Sequence, residues 1–371
     1  MNSRERLLKA ISCEIPDRVP ICTDALCGYN SSSWEYQQPS YANLLKYVKE
    51  KTDCVAKWSP KSSEQFFSSS YNAPCKVKTL KGEDWVSWQY YVETPKGVVS
   101  STTKVFHNVN THWITEPWCK DIDDVDKVLS IPYEPVKYDF KDYDRIRSEV
   151  GDQGIVMASI SDPLGCAVQL MEFGEATVWA MTETDHFAKT VEIMQERVME
   201  NLKNLLDAQV VDLYRIYGPE YATIPYLPPS YFARFVTPYV REMTDLIHRK
   251  GAKVRVHSHG KVKNVVPMIL DTGADSMDPC EAPPDGDITL RELKEMTCGR
   301  ISLFGNVQLK LLEHGNIFEI REEVKRCMEA AKQGGGYIIM PTASPINTPL
   351  SPKTEENYYA YMEAALEYGA Y

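Results

Sequence analysis

The sequence predicts an α/β protein whose fold class is a (β/α)8 TIM barrel with an inserted, aromatic-rich antiparallel β hairpin segment. Eight short apolar runs outside the insertion are typical of strands, and they lie near residues 19, 54, 155, 212, 254, 275, 302 and 338. Most are followed by a stretch in which apolar residues recur at helical spacing, which is the alternation of a parallel barrel. The length of 371 residues suits one barrel domain over 1–371.

The first elements alternate in the same way. Residues 2–11 have the spacing of an amphipathic helix, and 41–51 repeat this pattern with Leu44, Leu45 and Val48. Short apolar runs at 18–22 and 53–57 are interpreted as the first two strands. We therefore expect the barrel to begin within the first sixty residues.

Residues 75–118 differ in pattern and form the predicted insertion. Apolar and polar residues alternate over 76–80, 85–93 and 97–106, which is typical of antiparallel strands joined by tight turns. Most of its aromatic side chains are expected to pack against the barrel as a small accessory sheet. Trp113 is the one assigned to substrate binding, because an aromatic insertion can form the wall of a pocket.

The chain then returns to alternating strands and helices. Strands are predicted near 154–159, 210–217, 253–256, 274–277, 300–304 and 336–340. Helices are predicted over 168–173, 176–181, 185–209, 228–249, 263–271, 289–296, 317–332 and 354–367. No GxGxxG or P-loop motif follows any strand, so a dinucleotide-binding or NTPase fold has no support.

Composition narrows the function classes. The net charge of −11 and the lack of basic patches argue against nucleic-acid binding and against an anionic membrane surface. No run of 18 apolar residues is present, and the first residues lack the apolar core of a signal peptide. The ten cysteines are irregularly spaced without a CxxC pair, which is typical of reduced thiols. A cytoplasmic protein is therefore expected.

Two neighbouring strands end in side chains that bind metals. His257 and His259 come where the strand 253–256 ends and, being two residues apart, point to the same side. Cys280 and Glu281 follow the next strand, and imidazole, thiolate and carboxylate all bind zinc. The alternative is that the histidines hydrogen-bond a loop, Glu281 caps a helix and Cys280 is a buried, inert thiol.

Other polar side chains fall at the carboxyl ends of the predicted strands, where barrel enzymes carry their chemistry. They are Asp24, Asp162, Glu220, Asn306 and Ser344. For three of these residues the sequence also suggests a purely structural role. Asp162 before a proline is typical of a helix cap, Glu220 of a loop carboxylate, and Asn306 after a glycine of a turn.

The sequence resembles the uroporphyrinogen decarboxylase (URO-D) superfamily over nearly its whole length. The motifs that carry this resemblance occur in the family's order. They are Ser3-Arg4-Glu5-Arg6-Leu7-Leu8, Pro16-Asp17-Arg18-Val19-Pro20, Gly218-Pro219-Glu220, His257-Ser258-His259-Gly260, Gly305-Asn306-Val307 and Thr354-Glu355-Glu356-Asn357. The resemblance implies a (β/α)8 barrel. The superfamily includes porphyrinogen decarboxylases and zinc methyltransferases that work with corrinoid proteins or thiols.

Within that superfamily the chain is more similar to the methyltransferase branch. The Arg-rich segment with which true decarboxylases bind propionates is replaced by Thr23-Asp24-Ala25-Leu26-Cys27, and the strand ends supply mainly acids, Asn and His. The branch's zinc site resembles His-x-Cys followed by ligands after later strands. The resemblance implies that His257, His259 and Glu281 bind Zn2+, with Cys280 as an alternative ligand, although His259 replaces a thiol and no last-strand Cys is present.

The function implied is transfer of a methyl group from a small methoxy compound to the Co(I) corrinoid of a partner protein. Glu220 and Asn306 are the predicted catalytic residues, and Asp24, Asp162, Trp113 and Ser344 the predicted substrate-binding residues. The chain is expected to bind no nucleic acid or membrane, and a homodimer is an open expectation. Three alternatives stay open: corrinoid-to-thiol methyl transfer, a decarboxylase acting on a small acid, and a non-catalytic binding barrel.

Overall fold

The structure is a computed structural model that describes residues 1–62 and 66–371. Its strands are β1 (Cys54–Trp58), β2 (Lys61–Ser62), β3 (Cys75–Lys81), β4 (Trp85–Thr94), β5 (Gly97–Phe106), β6 (His112–Glu116), β7 (Tyr138–Asp139), β8 (Gly154–Ser161), β9 (Leu213–Tyr217), β10 (Lys253–His257), β11 (Ser276–Asp278), β12 (Ser302–Val307) and β13 (Tyr337–Pro341).

The helices are α1 (Ser3–Ile11), α2 (Ala42–Lys51), α3 (Ile122–Leu129), α4 (Lys141–Val150), α5 (Pro163–Val168), α6 (Phe173–Thr182), α7 (Thr184–Ala208), α8 (Pro229–Phe235), α9 (Thr237–Arg249), α10 (Val266–Asp271), α11 (Leu290–Thr297), α12 (Leu309–His314), α13 (Ile317–Ala331) and α14 (Pro352–Tyr368). No helix among the described residues is long and apolar enough to cross a membrane.

Seven parallel strands form the central sheet in the order β1-β8-β9-β10-β11-β12-β13. Each strand after β8 pairs with the one that precedes it along the chain, which brings all the carboxyl ends to one edge. This arrangement confirms the predicted barrel class and the order of its strands. Loops that follow consecutive strands are therefore neighbours, as the candidate site requires.

A short segment at residues 19–22 joins the two outer strands of this sheet. On one side the Ile339 N–H donates to Pro20 O at 3.0 Å and the Cys22 N–H to Ile339 O at 2.9 Å. On the other side the Asp53 N–H donates to Ile21 O at 2.8 Å. The segment supplies the eighth strand position, so the strand predicted near residue 19 is confirmed by its pairing.

The barrel interior is apolar at its amino-terminal end. Inward-facing side chains such as Val55, Met157 and Ile338 pack against Leu7 and Ile11 of α1. Helix α1 begins with a capping box, in which the Asn2 side chain accepts from the Glu5 N–H and Glu5 accepts in return. This helix closes the amino-terminal end, leaving the carboxyl end as the place for chemistry.

The insertion is an antiparallel sheet in the order β3-β4-β5-β6. The three predicted strands are confirmed, and β6 is a fourth that was not predicted. The turn between β5 and β6 is bound to the loop after β13: the Asn110 N–H donates to Ile346 O at 2.7 Å, and the Thr348 N–H donates to Asn108 O at 2.9 Å. The insertion therefore reaches the carboxyl-end rim of the barrel.

Several predicted helices have different bounds. The helix predicted at 168–173 is wrong: α5 covers 163–168, because Asp162 caps it and Pro163 occupies its first turn. The predicted helix 228–249 is divided at Val236 into α8 and α9. Helices α3, α4 and α12 were not predicted.

Candidate metal centre and active site

Three side chains with metal-binding atoms converge at the carboxyl end of the barrel. Glu220, His257 and His259 each offer one ligand atom, and these atoms lie within 4.8 Å of one another. His257 ends β10, His259 lies two residues further on, and Glu220 lies in the 3-10 helix Pro219–Ala222 after β9. Solvent exposure increases across the cluster: Glu220 is buried, His257 is partly buried and His259 is exposed. The cluster is therefore open to solvent on one side.

Gly218 determines how the chain turns toward this cluster. Its φ of +117° favours glycine, and a Cβ there would lie 2.0 Å from Asp162 Oδ1. The Gly218 N–H donates to Glu220 Oε2 at 2.7 Å, which fixes the carboxylate over the turn. The loops after β9 and β10 are also paired through a bridge between Ile224 and Lys261. The local backbone thus holds Glu220 beside the histidines.

Asp278 orients His257 from below. His257 Nδ1 lies 2.9 Å from Asp278 Oδ2, which leaves Nε2 as the free ring nitrogen. A carboxylate behind an imidazole is the usual second shell of a metal-binding histidine. Burial alone would raise the pKa of Asp278, but the positive charges of Arg255 and Arg215 outweigh it and lower that pKa well below the ordinary value. The sequence interpretation missed Asp278.

Glu281 and Cys280 lie outside the cluster. Glu281 Oε2 accepts a hydrogen bond from the Gly260 N–H at 2.8 Å, next to His259. The Cys280 thiol is buried and directs its Sγ to Met277 O at 3.7 Å. Burial raises the pKa of this thiol well above its usual value. The described residues thus bring together both predicted histidines with Glu220, and not with Glu281 or Cys280.

Asn306 is fully buried, and protein groups use both ends of its amide. Its Nδ2 donates to Cys280 O at 2.8 Å, and its Oδ1 accepts from the Cys327 thiol at 3.2 Å. These bonds connect the loop after β11 to α13. The contacts support a structural role for Asn306, and its predicted catalytic role stays a prediction.

Asp162 is the cap of α5, with Oδ1 accepting from the Gly165 N–H at 2.6 Å. Its Oδ2 has no hydrogen-bond partner among the described residues, although the side chain is fully buried. Burial raises the pKa of Asp162 well above the ordinary value, and the negative charge of Glu220 raises it further. Burial therefore disfavours a negative charge on this carboxyl, which lies beside the cluster.

The other predicted substrate-binding residues lie elsewhere on the rim. Asp24 forms an ion pair with Lys57 at 3.0 Å, and its Oδ2 accepts from the Ser344 hydroxyl at 3.2 Å. These contacts tie the loop after residues 19–22 to the loop after β13. Trp113 is 40% exposed on β6 and packs edge-on against Phe106, with ring centroids 5.3 Å apart.

A layer of charged side chains lies inside the barrel, between the cluster and the apolar layer. Lys57, Arg215 and Arg255 face two carboxylates, Asp24 and Asp278. Arg215 Nε lies 3.5 Å from Asp278 Oδ2, and Arg255 Nε lies 3.1 Å from Asp278 Oδ1. The expectation that this end supplies mainly acids, Asn and His was therefore incomplete. Arg255 and His257 are two residues apart on one strand, and this spacing could have identified the arginine.

A cavity of about 400 Å³ lies between the carboxyl end of β8 and helix α7. Its lining includes Ser161 and Tyr217, each one residue from a group near the cluster, and apolar residues of α7 such as Leu202. None of the three cluster residues lines it. The cavity is adjacent to the candidate metal centre and is not itself the centre.

Comparison with a solved structure that covers nearly the whole chain agrees with this fold. One solved structure, a methyltransferase from Methanosarcina mazei, has a TM-score of 0.64 and 17% identity, with 99% of each chain covered. A D-psicose 3-epimerase with D-tagatose from Clostridium cellulolyticum H10 gives a TM-score of only 0.34 at 11% identity, covering 61% of this chain and 82% of the other. No protein with a curated description matches.

The sequence also matches a family. The match to uroporphyrinogen decarboxylase (URO-D) covers residues 106–368, which include the last six barrel strands and the whole candidate metal centre. This is well over half of the chain. The protein belongs to the uroporphyrinogen decarboxylase (URO-D) family.

Proposed function

We propose that this protein is a zinc-dependent methyltransferase that moves a methyl group from a small methoxy compound to the Co(I) corrinoid of a partner protein. The observation that carries the proposal is the convergence of Glu220, His257 and His259, whose ligand atoms lie within 4.8 Å of one another. The likeness in fold to the Methanosarcina mazei methyltransferase supports it. A cytoplasmic location is part of the same proposal.

The residues fit a catalytic zinc ion. Two imidazoles and one carboxylate form the donor set of several catalytic zinc sites, in which the fourth position stays open to substrate. His259 is exposed, which leaves room on the solvent side of the cluster. Asp278 behind His257 supplies the second-shell carboxylate that such sites commonly have. We therefore assign Glu220 in place of Glu281 as the carboxylate ligand.

A bound Zn2+ would act as a Lewis acid on the methyl-bearing oxygen. In the overall reaction the O–CH3 bond breaks, the electron pair of Co(I) forms the new bond to the methyl carbon, and the released oxygen takes up a proton from solvent. Nitrogen and oxygen ligands leave more positive charge on the metal than thiolates do, which suits an oxygen leaving group better than a thiol acceptor.

The chain's own groups prepare this chemistry. Asp278 holds His257 in one orientation through Nδ1. Burial and the charge of Glu220 both raise the pKa of Asp162, which disfavours a second negative charge beside Glu220. Glu220, predicted from the sequence as a catalytic residue, takes the role of a metal ligand in this proposal, and a carboxylate that binds a metal is not free to carry a proton.

A metal-assisted decarboxylase acting on a small acid is the second candidate. The charged layer favours it, since Arg215 and Arg255 share the single carboxylate Asp278 and can bind an acid. The two candidates differ in product. Release of CO2 from an acid substrate without a corrinoid supports the decarboxylase, and formation of methyl-cobalamin supports the methyltransferase.

The first experiment is elemental analysis of protein purified without oxygen, followed by an assay of methyl transfer from methoxy compounds to free cob(I)alamin. We expect about one zinc per chain in the wild type. His259→Ala and Glu220→Gln should both lose the metal and the transfer activity. His107→Ala, which removes an exposed histidine on the insertion, is the matched control and should keep both.

Glu281→Gln separates the two carboxylates. If Glu220 is the ligand, Glu281→Gln keeps its zinc, and the loss of its bond to the Gly260 N–H affects only the loop. Zinc lost from Glu281→Gln but retained in Glu220→Gln would restore the ligand set expected from the sequence. A wild type that binds no metal even after zinc is supplied would refute the proposed methyl transfer.

A further inference from the structure

We propose that the charged layer below the metal cluster binds an anionic group of the substrate, and that the substrate is therefore a small carboxylic acid carrying the methyl group at its other end. The groups that bind the anion are the guanidinium groups of Arg215 and Arg255. This inference deepens the proposed function. It rests on that function only for the transfer of the methyl group at the end of the acid opposite its carboxylate.

The hydrogen bonding of Arg255 carries the inference. Its side chain is only 1% exposed, yet its guanidinium donates no hydrogen bond to any residue within 1–62 or 66–371. Asp278 Oδ1 lies 3.1 Å from Nε, but the two atoms are not aligned for a hydrogen bond, and neither has another partner among the described residues. The ring of Phe304, 4.7 Å from the guanidinium carbon, covers one face. The four N–H groups on its two terminal nitrogens therefore have no acceptor among the described residues.

Arg215 brings a second guanidinium to the same place. Its one hydrogen bond in the described chain joins Nε to Asp278 Oδ2 over 3.5 Å, a weak contact that leaves its two terminal nitrogens without acceptors. Its side chain is 19% exposed, so it is reached from the mouth of the barrel. Planar guanidinium groups bind carboxylates through two parallel hydrogen bonds, which makes arginine well suited to this task.

The charges of the layer do not balance. Lys57 and Asp24 form an ion pair at 3.0 Å and neutralise each other. One carboxylate, Asp278, then remains for two guanidinium groups, and it also bonds His257. One positive charge is left over in a layer where Arg255 and Asp278 are buried from water, and an uncompensated buried charge is unfavourable. A substrate carboxylate supplies the missing charge and the missing acceptors together.

The arrangement also determines the orientation of the substrate. Asp278 contacts both guanidinium groups on one side and His257 on the other, so the anion site and the metal cluster share a wall. An acid bound by the arginines extends from the layer toward the cluster at the carboxyl-end mouth. The reacting methyl group is therefore at the end of the molecule opposite its carboxylate.

The test is calorimetric titration of the metal-free protein with two pairs of matched probes: 4-methoxybenzoate with 4-methoxybenzamide, and methoxyacetate with methoxyacetamide. Chelation removes the metal so that the acid cannot bind there. At least one acid should bind about tenfold or more tightly than its amide, the ratio expected for charge-assisted hydrogen bonds. Arg215→Gln should reduce the affinity for that acid about tenfold or more, to the level of the amide.

Arg249→Gln, which changes an exposed arginine at the end of α9, is the matched control and should bind the acids as the wild type does. Arg255→Met tests the buried guanidinium directly. If that variant does not fold, the acid affinity of Arg215→Gln compared with that of the wild type still tests the anion site. Equal affinity for acids and amides, no binding of either acid, or full affinity in Arg215→Gln overturns the inference. Acid binding without methyl transfer refutes the proposed function alone, whereas transfer from acids and amides at equal rates refutes the anion site alone.

Discussion

The two ends of the barrel differ in how fully their buried charged groups are hydrogen-bonded. At the amino-terminal end, the fully buried Asp53 accepts from Arg6 Nη1 at 2.6 Å, Arg18 Nη1 at 2.7 Å and the Ile21 N–H at 2.9 Å. At the carboxyl end, the buried Arg255 donates no hydrogen bond to any described residue. Asp162 Oδ2 likewise has no hydrogen-bond partner among the described residues. Saturated hydrogen bonding stabilises the fold, and unsaturated groups remain available to bind a ligand.

The contrast agrees with the general division of labour in barrels, where the amino-terminal face serves stability and the carboxyl-terminal face serves chemistry. Here the division is visible in individual bonds. Arg4 adds a bidentate pair with Asp212 at the stable end, with one contact of 2.8 Å. Substitutions at the two ends should therefore separate stability from metal and ligand binding.

The largest effect on stability is expected from Asp53→Ala. Its loss leaves Arg6 and Arg18 without their shared carboxylate, and breaking a buried ion pair costs about 3–5 kcal/mol of the free energy of unfolding. Urea unfolding measures this change. Zinc content per folded chain should stay the same. Asp207→Ala, which removes an exposed partner of Lys250, is the control, and a destabilisation by Asp53→Ala no larger than the control's contradicts the comparison.

A smaller effect, on metal affinity, is expected from Asp278→Asn at the opposite end. The amide keeps the shape of the side chain but loses the charge that orients His257 and offsets Arg255. Loss of such a second-shell group typically weakens metal binding by about 10–100-fold. Competition with a zinc chelator measures the affinity. Unchanged affinity would show that Asp278 serves only the arginines.

The smallest effect is expected from Asp162→Asn, whose change in the free energy of unfolding near pH 5 should be under about 1 kcal/mol. The amide still accepts from the Gly165 N–H, and burial, which raises the pKa of the wild-type carboxyl well above its ordinary value, disfavours the charge that the substitution removes. A folded-state pKa raised above the ordinary value makes the wild type lose stability as pH rises from about 4 toward that folded-state pKa, by at most about 1.4 kcal/mol per pH unit.

Because asparagine has no such titration, the stability of Asp162→Asn relative to the wild type should increase with pH over this range. Urea unfolding of the metal-free proteins at several pH values measures the difference. Parallel pH profiles for the two proteins would show that Asp162 is ionised in the folded state.

Some features of the fold and of the candidate site could be predicted from the sequence because they depend on local spacing. Apolar periodicity predicted the eight strand positions, because strands buried on both faces are continuous apolar runs in any barrel. The two histidines were predicted to face the same side, and the structure brings them together with ring centroids 5.6 Å apart. Both features depend on local spacing alone, which the sequence displays directly.

The choice of carboxylate depends on loop geometry that spacing does not display. Glu220 turns toward the histidines because Gly218 adopts a positive φ against Asp162, whereas Glu281 turns to the Gly260 N–H. Asn306 follows a strand like the other candidates, but its contact with Cys327 comes from a helix far along the chain. Contacts between distant segments were beyond the reach of a single sequence.

The closure of the barrel by α1 has a kinetic consequence. Because Leu7 and Ile11 fill the amino-terminal end, a ligand held at Arg215 and Arg255 enters and leaves through the same mouth. In the proposed reaction the demethylated acid keeps its carboxylate and hence its hold on the arginines. Product and next substrate then compete for one opening and one pair of arginines, so the demethylated acid is expected to inhibit the proposed reaction competitively.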